Sequence, residues 1–529
     1  MNRLQLLKKS LPFLIALAVV VVVIVSGFKS EHNTYEAYDV KSFGLLPVQV
    51  GGRIKPLDTV ARVNLMLLSE RQSLKPEMAR SEERGLSASE WFMEVAMRPE
   101  RANDFRIFKI IFPEDLGLEG LKQEGTRYYS FNELTPYIPE IRAAYDVLDP
   151  QNPANAYEKQ MVKVHDALAR YQQLLQSFHP IDTRDGLIQF YADFEATIPD
   201  GMVAFQQQQS GQSFDSEALE RFLSYLITFQ EMSDAARMRL IPPESEEAFR
   251  EGDWANIGTS LMASIKQGGV DPFVLSYARL TEAFRQDRAE IFNDTVQAMV
   301  STLEQRYPEQ VNRVHFEKSF NTFSPFLLSI ILYLIAFILT VLAWMGSENN
   351  RVSRTAFWIL LLTFLIHTFG LAARMYIQGR PPVTNLYASA IFVGWGSVLL
   401  CAILEPIFKN GIANAAGALV GVVTLIVAHN LAILTGDTLE MVRAVLDSNF
   451  WLATHVVVIT LGYSAMFVAG ALALFFIIRA VFTPHFNRAQ AKSMGAMVYG
   501  IICFAALFSL VGTILGGIWA DQSWGRFWG

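Results

Sequence analysis

The sequence predicts an all-α polytopic membrane protein, with about seven transmembrane helices and a large, mostly helical domain outside the bilayer. Three observations carry that prediction. Of 529 residues, 51% are hydrophobic and 38 are Phe, which is too apolar for a water-soluble chain of this length. Seven apolar runs reach the roughly 20 residues needed to cross a bilayer core. Charge is also unevenly spread: residues 29–322 hold 45 Asp/Glu against 31 Lys/Arg, whereas 323–529 hold 10 basic and 6 acidic residues. An acidic, water-facing domain is thus inserted into a protein of the lipid bilayer, and no basic surface for nucleic acid emerges.

Residues 1–28 form an N-terminal membrane anchor. The run Leu11–Phe28 follows Arg3, Lys8 and Lys9, and no small-residue cleavage site comes promptly after it, so it is read as retained. Residues 29–322 form the polar domain. Its entry, Leu46 to Arg62, is rich in turn residues and leads into a helix start. Apolar residues three and four apart then predict helices over Tyr157–Gln176, Leu187–Gln209, Ser216–Met238 and Pro272–Tyr307, punctuated by Pro180, Pro199, Pro242-Pro243 and Pro272. Convincing strands are few. His32, His165, His179 and His315 lack ligand spacing and read as solvated or packing residues.

Residues 323–529 form the membrane domain, with spans expected at Phe323–Met345, Thr355–Met375, Leu386–Phe408, Ala413–Leu434, Leu452–Ile478 and Ala496–Ala520. If the N-terminus is cytoplasmic, one set of connections carries Arg3, Lys8, Lys9, Arg351, Arg354, Lys409, Arg479, Arg488 and Lys492. The short opposite loops carry only Arg374, Arg380, Arg443 and Arg526. That bias fits the positive-inside rule and sets the polar domain, His455 and the C-terminal tryptophans on the outer side. Cys401 and Cys503 both fall inside apolar runs, so no disulfide framework is expected, and no CxxCH occurs.

Chemistry concentrates in the last eighty residues. His455 opens one span, where an ionisable group is either a ligand or an interfacial histidine bonded to a neighbouring helix. Trp519, Trp524 and Trp528, with Phe527 and Asp521, follow the next span. They form either an interfacial aromatic belt or the wall of a flat pocket. Gly525 would let a ring approach the backbone, and Arg526 would pair with an anionic group. Flat faces, a nitrogen ligand and an arginine together suit a flat, anionic, iron-bearing macrocycle, which is haem. His367 and His429 lie within spans, either as ligands of a second haem or, the favoured reading, as hydrogen-bonding partners of neighbouring helices. The loop with Arg374, Arg380 and Pro381-Pro382 is either a propionate clamp or, again favoured, a helix–helix turn with interfacial anchors.

Three segments resemble the CcsA (ResC) family of cytochrome c biogenesis proteins, within the wider group of haem-handling proteins. Asn449-Phe450-Trp451-Leu452-Ala453-Thr454-His455-Val456, followed by Gly462-Tyr463, resembles the segment with the family's first external haem-ligating histidine. Gly512 through Gly529 resembles the first half of its tryptophan-rich "WWD" segment. Pro382-Val383-Thr384-Asn385-Leu386-Tyr387 resembles a loop of the family, with Ala388 where an acidic residue is usual. The Leu46–Arg62 entry resembles the CcsB/CcsA fusion subgroup. The resemblance implies a multi-pass protein of the inner (cytoplasmic) membrane that matures cytochrome c as part of a holocytochrome c synthase (haem lyase) complex. With a ResB/CcsB-type subunit, it would bind haem b through His455 as axial ligand and present it to the CxxCH motif of apocytochrome c. The alternative is a haem transporter or chaperone without ligation activity. The family's motif would continue beyond Gly529, so the sequence is expected to be a fragment.

Overall fold

A computed structural model describes residues 3–27, 34–79, 84–111, 127–180, 186–245, 252–345, 350–440, 448–482 and 487–524, with a few isolated positions between them. The chain divides into two compact units, Met1–Ser30 with Ser319–Gly529, and Glu31–Lys318.

The first unit is all helical. Among the described residues of the chain, seven helices are long and apolar enough to cross a membrane: Ser10–Gly27, Pro308–Trp344, Arg351–Gln378, Leu386–Phe408, Ile412–Thr435, Asn449–Phe482 and Arg488–Ser523. They are numbered here as the first to seventh spans. The protein is therefore an all-α polytopic membrane protein. The first five spans share one core, in which Val20, Leu332, Tyr333, Leu360, Val398 and Ala418 are buried. The fifth span starts on a carboxylate cap. Glu405 accepts from the backbone N–H of Gly411 at 2.8 Å and of Asn414 at 3.2 Å, so its charge meets the positive end of that helix. Cys401 is buried, Cys503 exposed, and both are free thiols.

In the second unit, β1 (Pro47–Val50) pairs antiparallel with β2 (Arg53–Pro56). Gly51 and Gly52 form the two-residue turn with φ of 63° and 76°, a backbone conformation that few residues other than glycine adopt readily. Helices make up most of the rest. The helix Leu187–Gln209 matches its expected bounds, and Pro199 lies inside it rather than ending it. Tyr191, Phe194, Ile198 and Ala204 bury one face of this helix across the missing donor. The single helix expected over 272–307 is two, Pro272–Arg285 and Ala289–Arg306, because Asp287 turns the chain at φ 54°. Arg53 donates to Glu317 through Nη1 and Nη2, and Thr59 donates to the same carboxylate at 3.0 Å. Glu317 is 1% exposed. His165 stacks on Tyr145 with ring centroids 3.6 Å apart, and His179 is buried, so both pack as expected. His32 lies outside the described residues.

Candidate functional site

The sixth span begins irregularly. One α turn, Asn449–Trp451, passes into a π turn over Leu452–Val456 before the regular helix from Val457. A π turn inserts an extra residue and rotates the side chains before it relative to those after it. His455 sits in that turn. Its Nδ1 lies 2.7 Å from the carbonyl oxygen of Gly512 on the seventh span. A carbonyl only accepts, so Nδ1 carries a proton, and in the neutral ring Nε2 is then the nitrogen with the lone pair. Among the described residues Nε2 has no hydrogen-bond partner.

Two glycines make this approach possible. A Cβ on Gly516 would stand 2.7 Å from Cε1 of His455 and 3.2 Å from its Nε2. A Cβ on Gly512 would stand 2.8 Å from Cβ of Ile459. The seventh span thus offers a glycine groove, and the imidazole lies in it.

One helical turn further on, Trp519 closes the groove. Its ring centroid is 5.8 Å from that of His455, at an interplanar angle of 58°. Trp451 is nearly parallel to Trp519, at 15°, with centroids 6.4 Å apart. Phe450 meets Trp451 edge to face at 5.2 Å and is itself exposed. The structure therefore brings His455 and Trp519 together. The role of neither Trp451, Gly512 nor Gly516 is read from the sequence, yet a signal is there. Trp451 precedes His455 by four residues, and Gly512, Gly516 and Trp519 recur at spacings of four and three, one face of a helix.

The remaining expected residues fall elsewhere. Asp521 is exposed near the end of the seventh span. Trp524 ends the helix Arg488–Trp524, its side chain lying outside the described residues, as do Gly525, Arg526, Phe527 and Trp528. Arg380 donates to Oδ1 of Asn449 at 2.8 Å, which ties the loop after the third span to the start of the sixth. Arg374 is held inside the protein. It donates to Oγ1 and the carbonyl of Thr438 at 2.9 and 2.6 Å, and its guanidinium lies 4.7 Å from the Tyr387 ring centroid. Asn385 donates to the same Thr438 carbonyl and caps the fourth span through Ala388 N–H. Arg374 is thus the anchor of a turn, as favoured above, and not a clamp open to a ligand.

His367 is wholly buried in the third span, with Nδ1 3.3 Å from the Tyr333 hydroxyl of the second span and Phe326 edge-on at 5.7 Å. It bonds a neighbouring helix. Among the described residues its Nε2 has no hydrogen-bond partner. His429 faces outward from the fifth span. Among the described residues no hydrogen bond or ring contact links either histidine to His455 or Trp519.

A neutral imidazole with one nitrogen oriented and the other open is a metal ligand in waiting. Among the described residues no three His, Cys, Asp or Glu side chains converge on a metal ion. A metal carried in a macrocycle brings most of its own ligands and takes only an axial nitrogen from a protein.

Residues 383–529 match the family described as cytochrome C assembly protein. Protein NrfI of Wolinella succinogenes is 34% identical over 208 residues, 38% of this chain and 22% of NrfI. The cytochrome c biogenesis protein CcsA of a Synechococcus strain is 25% identical over 240 residues, 39% of this chain and 78% of that protein. CcsA of Guillardia theta is 26% identical over 238 residues, 39% of this chain and 73% of that protein. The aligned part of this chain thus spans under a quarter of NrfI and about three quarters of the CcsA proteins. Residues 383–529 are thus similar to the CcsA-type cytochrome c biogenesis proteins, and the likeness lies in the C-terminal part of the chain.

Proposed function

We propose that the chain binds haem b at the paired ends of the sixth and seventh spans and presents it for covalent attachment to the CxxCH motif of apocytochrome c. It would do so with a ResB/CcsB-type subunit, as part of a holocytochrome c synthase. The observation that carries this reading is the seating of His455: Nδ1–H is fixed on the Gly512 carbonyl, the ring lies against Gly516, and Nε2 is left as the available ligand. Haem is the cargo here. The chain's contribution is to orient one axial nitrogen and to supply indole faces, so that the porphyrin edge is held still for the incoming thiols.

The excess of Lys and Arg on one set of connections supports a cytoplasmic N-terminus in the cell inner membrane. On that reading the Glu31–Lys318 unit, His455 and Trp519 face the extracytoplasmic side. The acidic unit would then be placed to meet the apocytochrome.

The test is co-expression of the full-length protein with a secreted CxxCH reporter. Covalent haem on the reporter, dependent on His455, supports the reading. Copurified haem without attachment to the reporter would shift the assignment to haem transport or chaperoning. Absence of haem from the purified protein would remove both.

A further inference from the structure

Trp451 is the least explained member of the site. The resemblance given above places its segment beside a histidine ligand but gives the indole no task. In the structure its ring runs parallel to that of Trp519, at 15°, with centroids 6.4 Å apart. Carbon atoms in contact lie about 3.5 Å apart, so a flat ring held between two parallel rings needs about 7 Å. If the indoles stand face to face, their gap is only about half an ångström short of that. If they are slipped, each leaves a face that the other does not cover. Both arrangements offer parallel π-faces to a third flat ring.

Accessibility assigns the order of contact. Trp519 is only 9% exposed, whereas Trp451 is half-buried. A flat molecule arriving from outside meets the Trp451 face first. Trp451 also stands in the turn immediately before the π turn that carries His455, so indole and imidazole belong to one irregular stretch of backbone. Ring recognition and iron ligation are therefore assigned to different side chains.

We infer that Trp451, paired with Trp519, binds the conjugated ring itself, and that the site accepts a metal-free porphyrin as well as haem. The identity of the ring as a porphyrin rests on the function proposed above. So does the ligation of iron by the imidazole, whereas the offer of parallel indole faces to a flat ring rests on their geometry alone.

The test uses the full-length protein in nanodiscs, with protoporphyrin IX as probe, read by its fluorescence anisotropy and by its competition with haem. Wild type should bind protoporphyrin IX, and protoporphyrin IX should displace haem. Trp451→Leu should weaken protoporphyrin IX at least fivefold, while Trp451→Phe, which keeps a flat ring, should stay within about twofold of wild type. His455→Ala should leave protoporphyrin IX binding within twofold while abolishing the ligated haem spectrum. The inference is overturned if wild type binds haem but not protoporphyrin IX, or if Trp451→Leu, folded by circular dichroism, binds it as wild type does. Loss of protoporphyrin IX in His455→Ala would also overturn it. If His455→Ala kept its haem spectrum, the ligation reading would fail and the ring-binding inference would stand.

Discussion

Gly516→Ala probes the seating of His455 with a single methyl group. The added carbon would stand 2.7 Å from Cε1 of the imidazole, where ordinary contact begins at 3.4 Å. Either the ring or the seventh helix must yield by about 0.7 Å. Moved directly away, the 2.7 Å bond from Nδ1 to the Gly512 carbonyl would stretch to about 3.4 Å, the edge of hydrogen bonding. Losing the partner that orients a ligating imidazole costs about 10- to 100-fold in affinity, or roughly 1.4–2.8 kcal/mol. The helix itself gains, because Ala is favoured over Gly by about 1 kcal/mol in a helix interior. Haem binding should therefore fall while helix content holds. The assay is haem titration of the purified full-length protein, followed in the Soret band, with Gly500→Ala on the same helix as control, since a Cβ there meets nothing within 4 Å. If Gly516→Ala bound haem within twofold of wild type with an unchanged spectrum, the imidazole would not be seated as described.

Two further outcomes concern the polar unit. Glu317→Gln should destabilise it by about 3 kcal/mol, since it removes one charge of the largely buried Arg53–Glu317 pair, and thermal unfolding against wild type measures the loss. His179 gives a pH dependence. Its Nε2 accepts from Arg285 at 3.1 Å and its Nδ1 donates to the Pro180 carbonyl at 2.8 Å. Burial pushes its pKa down from 6.5 to about 4. Between those values the unfolded chain takes up a proton that the folded one does not, so stability falls as pH drops from 6.5 to about 4, by up to roughly 3 kcal/mol. His179→Gln, which keeps an acceptor for Arg285 without titrating, should flatten that slope. Equal slopes in the two proteins would remove His179 as the cause.

Hydropathy made the spans legible, because a bilayer demands about 20 apolar residues wherever the chain crosses it. The fourth span, Leu386–Phe408, has the bounds expected of it. The place of His455, an ionisable group at a span end, was legible too. What periodicity did not yield was the partner. That the Gly512 carbonyl holds Nδ1 depends on how closely two helices pack, and that on two missing side chains. The π turn was equally hidden, since an inserted residue leaves composition and hydropathy unchanged. Arg374 illustrates the opposite case. Its charge near a proline turn left two readings open, and the favoured one, the anchor of a turn, agrees with the Thr438 carbonyl and the Tyr387 ring that occupy it. In the polar unit, the split at Asp287 escaped detection because apolar spacing continues across it on both sides.

The central claim is that His455 supplies an axial nitrogen to haem, and the most direct test is the haem spectrum of His455→Ala in the full-length protein. The predicted result is loss of most bound haem from the purified variant and partial recovery of the ligated spectrum on addition of imidazole. Haem content and spectrum equal to wild type, with no response to imidazole, would contradict the account.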